Sequence, residues 1–326
     1  MQVSTAVLEK GASLFDADAA ALHSLGGMDG AVYAYEEGGE GFILKFVPVP
    51  LNRIDEVREK WDFARHLSTQ GVRGPEPIFS RNGHLIETVQ DGDTMFAVSR
   101  SRKAPGKHID RHGLTDRADL LFGAWGRVMG RMHALTKQYA GGHHIVDWQQ
   151  ELQFMANWCE DGDVRVRWGE LEGQLQVLPQ TADCYGLIHN DLHPENFLVH
   201  YVDGKPQITV IDFDVCAYHW FATDIAIAMF PLFVGWMSPP DKGMDREAFG
   251  AYFFEHFMRG YIQENQLDSF WLKQLPMFLK YRQMLLFSAF SNEWQERDKY
   301  QERLLEDWRC AIVNQEPVTE LSFELL

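Results

Sequence analysis

Short apolar runs broken by turn residues fill the first hundred positions of the chain. AVYAYEE (31–37) and GFILKFV (41–47) are rich in aromatic and aliphatic residues, and Gly38-Gly39 lies between them, so the pair predicts a β-hairpin. AALHSLGG (20–27) predicts a strand entering a glycine turn, and HLIETV (84–89) with TMFAVS (94–99) predicts two further strands around Asp91-Gly92. Between them the period changes. In IDEVREKWDFARHLSTQG (54–71) the apolar residues Ile54, Val57, Trp61, Ala64 and Leu67 recur at three- and four-residue spacing, which predicts a helix stopped by Gly71.

After SRKAPGKHI (101–109), a charged stretch around Pro105-Gly106, the pattern turns helical. DLLFGAWGRVMGRMHAL (119–135) and QELQFMANWC (150–159) predict helices, and everything from about Asp224 onward is helical and rich in aromatics. Between these helical runs, GLIHNDLHPENFLV (186–199) and ITVIDFDV (208–215) predict a strand pair, a β-hairpin carrying polar residues. The expected class is therefore α+β, in two lobes. Residues 1–100 form a small antiparallel β lobe, 101–109 a hinge and 110–326 a larger helical lobe.

Composition narrows the function. With 326 residues and 45% hydrophobic content, the chain can bury a sizeable core. Its net charge of −17 argues against a broad nucleic-acid-binding face and leans toward a cationic small-molecule partner. The four cysteines form no CxxC pair, which leaves a zinc ribbon or a thioredoxin-type site without support. The N-terminus shows no signal-peptide pattern. The longest apolar stretch, Ile225–Met237, is too short for a bilayer and contains Pro231, so it predicts a buried helix. A cytoplasmic protein without a membrane partner is expected.

Chemistry concentrates in HNDLHPENF (189–197), which is polar between two apolar stubs. Asp191 and Asn196 are five apart, and Asp212 follows between apolar neighbours in TVIDFD. Carboxylates in such surroundings cost desolvation unless a cation compensates, and magnesium takes hard oxygen ligands of this kind. A second aspartate that is not a ligand suits proton acceptance from a hydroxyl nucleophile. Lys45, in the strand GFILKFV, is likewise expensive unless anions meet it.

The run H-x-D-x-x-x-x-N followed by I-D-F resembles the aminoglycoside phosphotransferase and choline kinase group, relatives of the protein kinases. The resemblance spans about residues 20–235. It implies a kinase-like fold that binds ATP and magnesium between the lobes and phosphorylates a hydroxyl of a small molecule. Asp191 is then the catalytic base, Asn196 and Asp212 are the magnesium ligands, and His189 organises the catalytic loop. Lys45 holds the nucleotide phosphates and pairs with a helix glutamate, either Glu59 or Glu56. Gly26, Gly27 and Gly30, in LGGMDGAVY, occupy the place of the phosphate-covering loop, and Lys103–Lys107 that of the adenine-facing hinge. This chain departs from the pattern at Asp214, where protein kinases have Gly, and at Asn190 and Glu195, where many relatives have Gly.

Several residues have plainer readings. Asp224 reads as a helix cap, with Thr223 as the alternative, although relatives use an aspartate there to brace the loop. His193 reads as structural. The aromatic set Tyr252, Phe253, Phe257, Tyr261, Phe287, Phe290 and Trp294 reads as core packing; the functional alternative is an acceptor pocket with Glu255, Asp268 or Glu293. Tyr218, His219 and Trp220 are further candidates to line that pocket. Two rival functions remain at this level: a protein Ser/Thr kinase, which lacks an evident activation segment here, and a nucleotide-binding protein without transfer.

Overall fold

The structure, a computed structural model, describes residues 3–26, 31–115 and 117–324. An N-terminal helix α1 (Thr5–Leu14), capped by the Ser4 hydroxyl, precedes six strands and one helix. These are β1 (His23–Gly26), β2 (Ala31–Glu37), β3 (Glu40–Val49), α2 (Ile54–Thr69), β4 (Pro77–Ile78), β5 (Ile86–Asp91) and β6 (Thr94–Arg102). The sheet runs β1-β2-β3-β6-β4, with β5 also paired to β6, and every pairing is antiparallel.

Alternation along β3 sets the two faces of this sheet. Phe42, Leu44 and Phe46 are buried in a core with Val7, Phe15 and Val98. Ile43, Lys45 and Val47 point the other way and line a cleft. Lys45 thus sits on the half-buried face of its strand rather than inside the core. The predicted turn holds, with Gly38 and Gly39 both at positive φ (60° and 83°).

The larger part comprises α3 (Ala118–Thr136), α4 (Trp148–Trp158), α5 (Gly162–Gln176), β7 (Tyr185–Ile188), β8 (Phe197–Val202), β9 (Lys205–Val210) and β10 (Ala217–Trp220). It continues through α6 (Phe221–Phe233), α7 (Arg246–Tyr261), α8 (Ser269–Lys273), α9 (Leu275–Glu293) and α10 (Lys299–Val313). Every residue of α6 is buried, as its composition predicts, and Pro231 lies within it. Among the described residues no helix is long and apolar enough to cross a membrane.

The polar hairpin expected around 186–215 differs in one respect. It is two ribbons: β8 pairs with β9, while β7 pairs with β10. The reason is the turn Asp203-Gly204, whose two residues both have positive φ (50° and 72°) and close β8 onto β9 directly. The catalytic-loop candidate therefore leaves one ribbon at Ile188 and enters the other at Phe197.

The aromatic set is core, as its spacing suggests. Phe253 and Phe257 are buried on α7 against Phe122 and Trp125 of α3, Tyr261 is buried against His133, and Phe290 stacks on Trp294. Tyr218, His219 and Trp220 also belong to the interior frame. His219 and Trp220 are fully buried, and the Tyr218 hydroxyl donates to the Gly141 carbonyl.

Candidate active site

Residues 189–196 form a loop fixed from below. The backbone N–H groups of His189 and Asn190 donate to the two oxygens of Asp224, at 3.1 and 2.8 Å. Asp224 lies in the first turn of α6 and is fully buried, so it braces the loop rather than capping its own helix. Its Oδ2 also meets Nε2 of His133 at 3.1 Å. Burial holds the His133 imidazole below its ordinary pKa, so the neutral ring donates to Asp224 while its Nδ1 accepts from the Tyr261 hydroxyl.

His189 is buried, donates through Nε2 to the Ile211 carbonyl (3.0 Å) and packs its ring on Phe213 at 4.8 Å. Those contacts join the loop to the strand end that carries Asp212. Asn190 adopts φ 65°, a left-handed conformation that asparagine tolerates better than most residues. That conformation suits an asparagine at a position where the sequence resemblance leads one to expect glycine. Its side chain does further work, donating to Glu151 on α4 at 2.5 Å and to the Val215 carbonyl at 3.2 Å.

Asp191 keeps 23% of its side-chain surface. The side-chain amide of Asn196 donates to its Oδ2 at 2.7 Å, Nε2 of His193 lies 3.3 Å from the same oxygen, and Arg282 on α9 donates to Oδ1 at 2.5 Å. Burial by itself would raise the Asp191 pKa; Arg282, His193 and His189 outweigh it and hold the carboxyl well below the usual carboxylate range.

Asn196 and Asp212 stand at the end of the β8–β9 ribbon. The N–H of Ile211 donates to the Asn196 carbonyl at 3.0 Å, and Phe197 pairs with Val210. Asp212 takes φ 65° and leaves its carboxylate half-exposed. Facing it across the cleft, the Lys45 ammonium lies 2.8 Å from Asp212 and 2.6 Å from Asp214. Burial would lower the Lys45 pKa, but the Asp214 and Asp212 carboxylates raise it well above its ordinary value.

The expected glutamate partner of Lys45 is otherwise engaged. Glu59 accepts from the backbone N–H of His144 at 2.6 Å and lies 2.9 Å from its ring Nδ1. Glu56 is bound to Arg53 and to Lys60, each at 2.7 Å. Lys60 in turn donates to the Asp214 carbonyl at 2.6 Å. The tie from α2 to the 212–214 segment therefore runs through Lys60, and Lys45 is held by the two aspartates.

Between the sheet and the larger part lies a cavity of about 580 Å³. Val32, Ile43, Leu198 and Ile211 give it apolar walls, Lys45, Asp212 and Asp214 a charged end, and Lys103, Ala104, Gly106 and Lys107 an edge. Gly26 (φ 91°) borders it; Gly27 and Gly30 lie outside the described residues. At the far edge, Lys107 exchanges two backbone hydrogen bonds with Val199, at 3.0 and 2.8 Å. Gly106 needs its lack of side chain there, because at φ 111° a Cβ would lie 2.9 Å from the Val199 carbonyl.

Sequence reasoning missed Arg282, Glu151, Lys60 and the participation of Asp214. Of the three acids proposed for an acceptor pocket, two have local partners: Glu255 pairs with Arg259, and Asp268 caps α8.

A small sheet over a helical body, with an aspartate loop facing an aspartate strand end and a lysine, defines a kinase-like phosphotransferase. Comparison with known proteins agrees. The model of the phosphotransferase enzyme family matches residues 24–262, and the chain belongs to that family. It is 33% identical over 312 residues to an amicoumacin kinase of Bacillus subtilis (strain 168), covering 91% of this chain and 89% of that protein. Among solved structures it is similar to an amicoumacin kinase (hAmiN) in complex with AMP-PNP, Ca2+ and Ami, with TM-score 0.85 and 31% identity over 98% of this chain and 96% of that one. A microcompartment-associated aminopropanol kinase shares the fold at TM-score 0.74 and 21% identity, over 95% of each chain. The enzyme is an ATP-dependent small-molecule kinase that transfers phosphate to a hydroxyl group.

Proposed function

We propose that this kinase binds ATP and magnesium in the 580 Å³ cleft and phosphorylates a hydroxyl of a small, cationic molecule, with amicoumacin as the first acceptor to test. One observation carries the assignment of roles. A single ammonium, that of Lys45, sits on both Asp212 and Asp214, so these carboxylates already converge on a common cation. Together with the amide oxygen of Asn196 at the adjoining strand end, they form a set of hard oxygen donors that fits magnesium. When bound, the metal supplies charge neutralisation for the phosphates.

The remaining roles fall to the chain itself. Lys45 would steady phosphate oxygens once Asp212 and Asp214 were engaged by a metal ion. The 101–109 segment acts as the hinge and offers backbone groups to the adenine. Gly26 lets backbone approach the phosphates, with Gly27 and Gly30 assigned the same part. Asp191 orients the acceptor hydroxyl for in-line attack; as the acceptor O–P bond forms and the P–O bond to ADP breaks, the hydroxyl proton passes to Asp191. Its depressed pKa suits orientation first and proton acceptance late, as a loose phosphoryl-transfer transition state requires. His189 holds the loop to the metal strand and touches no substrate.

The short segment after Asp212 favours a small acceptor over a protein. β10 begins at Ala217 and α6 at Phe221, leaving no activation segment for a peptide to dock on. With ATP as donor, the reaction is placed in the cytoplasm. The test is an ATP-consumption assay with magnesium across amicoumacin, amino alcohols, aminoglycosides and sugars. One acceptor class is expected to stimulate turnover. Magnesium-dependent nucleotide binding with no stimulation by any acceptor would instead favour a nucleotide-binding protein without transfer.

A further inference from the structure

We propose that Arg282 is the acceptor-reading residue of this kinase: it binds an oxygen that the acceptor carries beside its reacting hydroxyl. The inference rests on the phosphotransferase reading with Asp191 as base, and it narrows the acceptor to hydroxy compounds with a neighbouring carbonyl, carboxylate or second hydroxyl oxygen.

The base has partners of two kinds. On Oδ2, Asn196 and His193 come from the same loop and set its geometry. On Oδ1 the partner is Arg282, which arrives from α9, at 2.5 Å. The oxygen that faces α9 is thus shared between a guanidinium and whatever else reaches it, because a carboxylate oxygen accepts two hydrogen bonds. An acceptor hydroxyl seated there lies directly beside the guanidinium.

Arg282 has donors to spare. Only its Nη2 is engaged, with Asp191; among the described residues neither Nε nor Nη1 has a protein partner. With 11% of its side-chain surface exposed, its remaining nitrogens are not among the buried atoms that lack a partner, so they reach solvent and stand open to an incoming oxygen. An oxygen-bearing acceptor meets them. The planar fork also favours an oxygen fixed at one distance from the hydroxyl over a diffuse negative charge.

The helix that presents Arg282 is locked against the same loop. The Tyr281 hydroxyl donates to one oxygen of Glu151, within 2.5 Å, and Asn190 donates to the other at 2.5 Å. α9, α4 and the catalytic loop therefore form one frame, with Arg282 and Asp191 side by side in it. The guanidinium is held in place before any acceptor arrives, which lowers the ordering cost of recognition.

The experiment compares matched acceptors in the wild type and in Arg282→Met and Arg282→Lys. 1-Amino-2-propanol and isoserinamide differ only in a methyl group replaced by a carboxamide next to the reacting carbinol; amicoumacin is the third probe. The wild type is expected to prefer isoserinamide. In Arg282→Met the KM for isoserinamide or amicoumacin should rise about 10- to 100-fold, the span expected for a lost charged hydrogen bond, with the KM for ATP within about 2-fold of wild type. Arg282→Lys should fall between, and its comparison with wild type carries the test if the methionine variant does not fold. A fall in kcat alone, with acceptor KM unchanged, would mean that Arg282 merely holds Asp191 and would overturn the proposal. A wild-type preference for 1-amino-2-propanol, or a parallel rise in the KM for ATP, would overturn it as well. If ATP is consumed with none of the probes or any other hydroxyl compound, the phosphotransferase reading itself fails, and this inference with it.

Discussion

Oδ1 of Asp224 accepts the backbone N–H of Asn190 at 2.8 Å, from a fully buried position inside α6. With His189 on the other oxygen and His133 beneath, this carboxylate converts a helix into a support for the 189–196 loop. Asparagine at this position keeps the shape but turns an acceptor oxygen into an NH2 group that faces a backbone donor. Asp224→Asn should therefore lose about 3 kcal/mol of stability, as expected for a broken buried charged network, and lose transfer activity more than that loss of folded protein explains. Denaturant unfolding together with kcat per folded molecule checks both parts.

The roles proposed for Asp191 and Asp212 should separate by assay. Asp191→Asn removes the proposed proton acceptor without touching the phosphate end of the cleft. Its kcat should fall about 10²- to 10⁴-fold, while magnesium-ATP still raises the melting temperature as in the wild type. Asp212→Asn should lose the magnesium-dependent part of that thermal shift and keep the part that nucleotide gives alone. Equal behaviour of the two variants in the thermal-shift measurement would contradict the division of labour.

The hairpins and α2 were legible because their signals are local: the turn at Gly38-Gly39, and apolar residues three and four apart from Ile54 to Leu67. α5 was not recognised, although Val164, Trp168, Leu171 and Leu175 bury one helical stripe; two interior glycines and a polar surface mask it. The candidate site divides along the same line. Asp191, Asn196 and Asp212 stand out in two short motifs. Arg282 and Glu151 do not, because each gains meaning from partners far away in sequence: Arg282 from Asp191, Glu151 from Tyr281 and Asn190. The expected pairing of Lys45 with Glu59 or Glu56 came from the resemblance, and the residues that intercept those glutamates, His144, Arg53 and Lys60, carry no motif.

Buried histidines set the acid limit of stability. Burial lowers the His219 pKa to about 3, where Nδ1 accepts from the Thr223 hydroxyl at 2.5 Å and from the Trp220 N–H at 3.0 Å. His133 is lowered in the same direction by burial. Unfolded histidine titrates near 6.5, so the unfolded chain binds protons that the folded chain refuses. For His219 this contribution is fully present above pH 6.5 and is lost as the pH falls toward 3, by about 1.4 kcal/mol per pH unit, and His133 adds a loss of the same sign. The Asp191 carboxyl, held well below the usual range, stays ionised through that window. The melting temperature should therefore drop between pH 7 and pH 5, and His219→Asn, whose side-chain oxygen can accept in place of Nδ1, should flatten the drop. An unchanged pH slope in that variant would exclude His219 as a source.

Glycines set the distance between α3 and α7, the helices that carry His133 and Tyr261 beneath the loop brace. A Cβ on Gly126 would lie 1.8 Å from the Phe257 carbonyl oxygen, and one on Gly130 2.5 Å from that of Tyr261. Backbone cannot yield as a side chain does, so Gly126→Ala must push the helices apart. A loss of about 3 kcal/mol is expected, at the upper end of overpacking costs. The same substitution at Gly173 of α5, where nothing lies within 4 Å, should instead stabilise by about 1 kcal/mol through helix propensity. Because Tyr261 bonds His133, and His133 bonds Asp224, displacement of α7 should also reach the catalytic loop. Gly126→Ala is thus expected to lower kcat in the fraction that remains folded, whereas Gly173→Ala leaves kcat alone. Unfolding curves and kcat for the two variants, measured side by side, distinguish this transmitted effect from a simple loss of stability.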